Sequence, residues 1–214
     1  MSIASYSDLT ATVANYLARD DLTARIPEFI TLAEAKFSRE LRCSQMEKRA
    51  YATIDITTTE PEFISLPQDF QSMRRVRISS VEGKPRLEFL PNAALDDYRY
   101  STANVKGQPR YISVFGSEME LAPTPDANYV LEMVYRANIP ALSSSNASNW
   151  LLVLAPDLYL YGALLEAATY MKEDSRVSLW AAGMTTAMDS INKLSLDAIY
   201  GPTPLQVRVS GQTF

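Results

Sequence analysis

Apolar residues recur at helical spacing near both ends of the chain and at strand spacing between them. Leu9, Val13, Tyr16 and Leu17 share one face behind Ser7 and Asp8, a hydroxyl and a carboxylate suited to a helix start. A short amphipathic helix to about Ala18 is predicted. A second begins near Arg25 or Ile26, because Pro27 is tolerated only in a first turn. Its apolar positions are Phe29, Ile30, Ala33, Phe37 and Leu41, with Glu34, Arg39, Glu40 and Arg42 assigned mostly to other faces. Such a stripe must be covered, so the pair reads as a helical hairpin packed on something else.

From Arg49 to about Ile139 the period changes to two. Ala52, Ile54 and Ile56 alternate with Tyr51, Thr53 and Asp55; Phe63–Leu66 is short and closed by Pro67; residues 75–79 alternate again. Glu82-Gly83 is a turn leading to Arg86–Leu90, and residues 91–98 suit one or two helical turns. Residues 111–114 and 118–121 read as a hairpin about Phe115-Gly116-Ser117, and 128–135 is the cleanest strand. This region is expected to form a mostly antiparallel sheet of five to seven short strands, closed by a serine-rich loop over 139–149.

Helical spacing returns from Ala155 or Pro156, with Leu158, Tyr161, Leu164, Leu165 and Ala168 on one side and Gly162 set for a close helix contact. A last helix carries Val177, Trp180, Met184, Ala187, Ile191, Leu194 and Ala198 in steps of three and four, a seam expected to pack inside the subunit. Gly201-Pro202-Thr203-Pro204 ends it, and Leu205, Val207 and Val209 then alternate with Gln206, Arg208 and Ser210. The fold expected is α+β. Helical hairpins at residues 1–48 and 150–200 pack together as a bundle, around an inserted antiparallel β-rich domain at 49–149. An extended docking tail at 201–214 follows, with Leu205, Val207, Val209 and Phe214 as its contact residues and β-addition as its mode.

Composition narrows the chemistry. The chain has 214 residues, 47% hydrophobic and 21% charged, as in an ordinary globular protein. No apolar run reaches the roughly 20 residues of a membrane span, and no signal peptide is expected. A lone cysteine, Cys43, leaves no intrachain disulfide and suits a reducing cytoplasm. There is no histidine, which removes Ser-His-Asp and Cys-His catalysis and zinc sites built on imidazole. No metal and no cofactor is expected. A net charge of −5 disfavours phosphate neutralisation as the mode of DNA binding. The local run Arg74, Arg75 and Arg77, with Lys84 and Arg86 behind it, is a candidate for contact with a passing duplex, although a solvated or salt-bridged strand face explains it better.

The remaining motifs weaken on inspection. Ser190-Ile191-Asn192-Lys193 matches the S-x-x-K pattern of serine acyl-enzymes but lacks its companion elements and lies in a packing helix. Glu118, Glu120, Asp126 and Glu132, with Asp96 and Asp97, could serve a glycosidase only if two faced one sugar. No phosphate-binding glycine loop occurs. The 12 tyrosines suit an interface and a wet-edged core equally well.

Residues 16–22 (YLARDDL), Ile26–Arg42, residues 63–70 (FISLPQDF), 119–125 (MELAPTP) and Pro156–Ala168 resemble the head-to-tail adaptor (connector) proteins of tailed bacteriophages. The resemblance covers nearly the whole chain, rests on packing and turn patterns, and is weakest in the C-terminal tail. It implies a non-enzymatic virion protein, made in the host cytoplasm and placed at the head–tail junction. It further implies a homo-oligomeric ring of twelve copies that joins the portal protein to the tail tube or nozzle, with DNA passing through without specific binding. Arg39 and Arg42 are further candidate partner contacts. The alternatives are a carboxylate-based, muramidase-like phage hydrolase, and another tail-completion or fibre-attachment protein.

Overall fold

The computed structural model describes residues 3–103, 105–172 and 174–200. These form an α+β protein of six α-helices and two sheets, mostly antiparallel. They divide into two compact units, one from the residues up to Met46 together with those from Ile139 onward, the other Glu47–Asn138. The tail residues Leu205, Val207, Val209 and Phe214 lie outside the described residues.

In the helical unit, α1 (Tyr6–Leu17) starts two residues earlier than the Ser7-Asp8 signal suggests. Ser5 caps it: its Oγ accepts the Asp8 N–H while Asp8 Oδ2 accepts the Ser5 N–H, satisfying two otherwise orphaned donors. A 3₁₀ segment, Asp20–Arg25, leads into α2 (Ile26–Glu40), with Pro27 in its first turn. Trp150–Leu154, within the region expected to be helical, forms a separate short helix, α4, ahead of the start expected at Ala155 or Pro156, capped by Asn149 Oδ1 accepting the Leu152 N–H. Pro156 then opens α5 (Pro156–Met171). Helix α5 is central, packing against α1, α2, α4 and α6 (Asp174–Tyr200).

Gly162 explains how close α5 comes to α2. A Cβ at that position would lie 2.5 Å from Phe37 Cζ and 3.0 Å from Ala33 Cβ, so any side chain there would force the helices apart. Phe37, fully buried, meets the ring of Tyr159 edge-on at 5.4 Å. The seam on α6 departs from expectation at its end. Met184, Ala187, Met188, Ile191 and Ser195 are buried, whereas Leu194 and Ala198 are exposed. The cause is the loop that follows α2. Asn192 Oδ1 accepts the Arg42 N–H at 2.9 Å and Ser195 Oγ the Ser44 N–H at 2.7 Å. The end of α6 thus turns a polar face inward, because backbone donors must be satisfied there.

The β unit is a sandwich. Strands β1 (Glu47–Thr53), β7 (Val130–Ala137) and β3 (Phe70–Ile78) form one antiparallel sheet, in the order β1-β7-β3. The other runs β2-β6-β5-β4, from Phe63–Ser65, Glu118–Ala122, Tyr111–Phe115 and Glu88–Phe89. Val76, Ile78, Leu131 and Met133 of the first sheet meet Ile112, Met119 and Leu121 of the second in one core. The β5–β6 hairpin turns at Gly116, whose φ of 56° suits glycine. Helix α3 (Asn92–Ser101) lies on the outer face of the second sheet. Asn92 bonds Ser113, Tyr98 packs on Tyr111 and Arg99 pairs with Glu120. Strand β4 joins β5 in parallel, the exception to the antiparallel pattern. Residues 139–149, read from sequence as the end of the β-rich region, group with the helical unit. There the Leu142 N–H donates to Glu34 and Asn149 Nδ2 to the Pro140 carbonyl.

Candidate functional site

The arginine run lies on the outer face of the three-stranded sheet. Two-residue periodicity sends Val76 and Ile78 of β3 into the core and Arg75 and Arg77 outward. In register beside them, β7 presents Glu132 and Arg136, and β1 presents Arg49 and Tyr51. Arg77 Nη2 donates to Glu132 Oε2 at 2.7 Å, and Arg75 Nη2 stands 3.5 Å from Oε1. Arg74, at a register shift, reaches Glu47 instead at 3.4 Å. The Glu132 side chain is only 3% exposed, yet what hides it is the arginine canopy, not a protein interior. Its carboxyl is therefore held below the ordinary glutamate value, through the hydrogen bond from Arg77 and the charges of Arg77, Arg49 and Arg75.

A second titratable cluster ties α3 to its sheet. Arg99 pairs with Glu120 at 3.0 Å and with Glu62 at 3.6 Å, and donates to the Leu121 carbonyl at 2.7 Å. Burial raises the Glu120 carboxyl, opposed by Arg99 and helped by Asp96 and Glu62. Its geometry is that of a clamp: the arginine consumes the acceptors that hold the helix down.

Glu34 is the residue that sequence reasoning misplaced. Expected on an outer face, it is buried, and its Oε1 accepts the Leu142 N–H at 2.9 Å and the Tyr159 hydroxyl at 3.0 Å. Asn149 Nδ2 donates to the Tyr159 oxygen at 2.7 Å. Burial pushes the Glu34 carboxyl up, because no cation stands among these partners. The spacing held a signal, since Glu34 follows Ile30 by four and precedes Phe37 by three. Arg39 and Arg42 are both exposed, the latter at the junction of α2 and the loop bound by α6. Val153 and Leu154 of α4 are exposed beside Trp150 and Gln45, which together line an open groove of about 430 Å³. Among the described residues, no group of three or more acidic or cysteine side chains is placed to hold a metal ion, and no helix is long and apolar enough to cross a membrane.

These features define an α+β protein whose prominent chemistry is surface charge and packing. The chain belongs to the SU10 adaptor protein family, whose model matches residues 4–208, consistent with a phage head–tail adaptor. The match spans both compact units, and the family is structural, not enzymatic. No curated protein matches the chain.

Proposed function

We propose that the chain forms a ring that joins the capsid portal to the tail and continues the DNA channel. The observation that carries this reading is the family match across residues 4–208, which takes in the helical unit and the β unit alike. Its place in the virion is the head–tail junction, with the portal protein above and a tail tube or nozzle protein below, in a ring of twelve. The segment 201–214 docks in extended form on the portal or on a neighbouring subunit through Leu205, Val207, Val209 and Phe214, with backbone hydrogen bonds supplying much of the contact. Arg39 and Arg42 belong to the partner-facing surface of the helical unit. DNA passes without specific binding, in keeping with a net charge of −5.

Electron microscopy of the purified protein mixed with portal assemblies tests the reading. A ring docked at the outer end of the portal is the expected image. Robust peptidoglycan hydrolysis, abolished by changing one carboxylate such as Glu120, would overturn it in favour of a hydrolase. Deleting residues 205–214 leaves the fold intact and weakens docking; unchanged portal affinity would remove the tail from the proposal.

A further inference from the structure

The β unit presents arginines on one outer face and two exposed aspartates of α3 on the other. One is the sheet face already described, where Arg49, Arg75 and Arg77 gather over one buried carboxylate, Glu132. One carboxylate cannot neutralise these three guanidinium groups, and Arg49 among them is exposed. Tyr51, 57% exposed, adds a flat apolar surface at the same face. On the far side of the sandwich, beyond the core and the second sheet, α3 turns Leu95 inward against its sheet and leaves Asp96, Asp97 and Tyr100 exposed, Tyr100 at 92%. Arginine with tyrosine stands on one face, aspartate with tyrosine on the other.

We propose that the arginine face of one copy binds the α3 face of the next. This rests on the ring reading above and names a contact that builds the ring. An isologous pairing would set arginines against arginines, whereas a head-to-tail contact sets guanidinium groups against carboxylates. A heterologous contact is also the kind that propagates into rings. Duplex DNA is the competing occupant of the arginine face. The protein partner is favoured because Glu47 and Glu132 already pair with Arg74, Arg75 and Arg77 and so thin the cationic surface a phosphate backbone needs, while the same unit supplies complementary acids on its opposite side.

Sedimentation velocity of the full chain over a wide concentration range, at low and at raised salt, tests the contact. The wild type self-associates, more weakly as salt rises. Arg49→Glu with Arg75→Glu, and separately Asp96→Lys with Asp97→Lys, each weaken association by about tenfold or more. An equimolar mixture of the two variants associates again, since each now presents the face the other needs. Arg49→Glu alone, at an exposed position that keeps the Arg77–Glu132 pair, replaces the double variant if circular dichroism shows the latter unfolded. Folded variants that associate like the wild type, or a mixture that stays monomeric, overturn the contact. So does a wild type that binds duplex DNA at about 0.15 M salt without self-association. A chain that remains monomeric throughout overturns this contact alone; docking on portal rings remains the test of the adaptor reading.

Discussion

Glu34 in the helical unit and Glu132 in the β unit are both hidden from solvent, 6% and 3% exposed, yet their surroundings push them in opposite directions. Glu34 lies among neutral donors, the Leu142 amide and the Tyr159 hydroxyl, and burial raises its carboxyl. Glu132 lies beneath guanidinium groups, and the Arg77 hydrogen bond lowers its carboxyl. What differs is the cover. The helical unit closes an apolar interior over its acid, so the charged form is penalised. The β unit covers its acid with long cationic side chains on an outer sheet face, so the charged form is favoured. The same residue type thus serves as an internal hydrogen-bond acceptor in one unit and as the counter-ion of a surface cluster in the other.

The largest way to break this comparison is to open the apolar interior. Phe37→Ala should cost about 3–5 kcal/mol, measured by urea unfolding, and should expose Glu34 to water so that its carboxyl returns toward the ordinary value. A loss below about 1 kcal/mol would mean that the α2–α5 interface collapses around the missing ring. Gly162→Val attacks the same interface from the other side. With a Cβ set 2.5 Å from Phe37 Cζ, about 1–3 kcal/mol should be lost to overpacking.

The two glutamates themselves sharpen the comparison through pH. For Glu132 the folded-state carboxyl lies below its ordinary value of 4.5. Its stabilising contribution is therefore present above that value and is lost as pH falls through the depressed one. Glu132→Gln should lower the thermal midpoint at neutral pH and converge on the wild type in acid. Equal midpoints at pH 7 would show that the arginines need no counter-ion. For Glu34 the folded-state carboxyl lies above 4.5. Stability is then fully present below 4.5 and declines as pH rises through the raised value. Glu34→Gln keeps an acceptor for Leu142 and Tyr159 and should abolish that decline. This is the smallest effect, read as the difference between the variant and wild-type stability profiles from pH 4 upward; parallel profiles would refute it.

Legibility in the sequence followed the strength of local signals. Pro27 located the start of α2, Gly162 announced a close helix contact, and the Phe115-Gly116-Ser117 turn placed the β5–β6 hairpin, all without reference to the rest of the chain. The arginine run could be assigned to a strand face by alternation, and its salt-bridged character followed. Glu132, fifty-five residues away from Arg77, could not be identified as its partner, because strand register across β3 and β7 is a long-range property. The exposed Leu194 was misread for a similar reason. Helical spacing finds a stripe, but the backbone donors of residues 42 and 44, brought up from the other end of the chain, decide which flank of the stripe is buried.

By itself, the sequence determined the period of each segment, the breaks between them, the absence of imidazole chemistry and the pattern of packing residues that resembles phage adaptors. These are local properties, carried by dihedral preferences, side-chain alternation and composition. Only the tertiary structure decided which acids are buried, which cations gather about them and which charged faces stand opposite one another across the β sandwich. Helical spacing from Ile30 and Phe37 hinted at the burial of Glu34, but which partners and charges come within a few ångströms depends on the rest of the chain, and no local pattern encodes that.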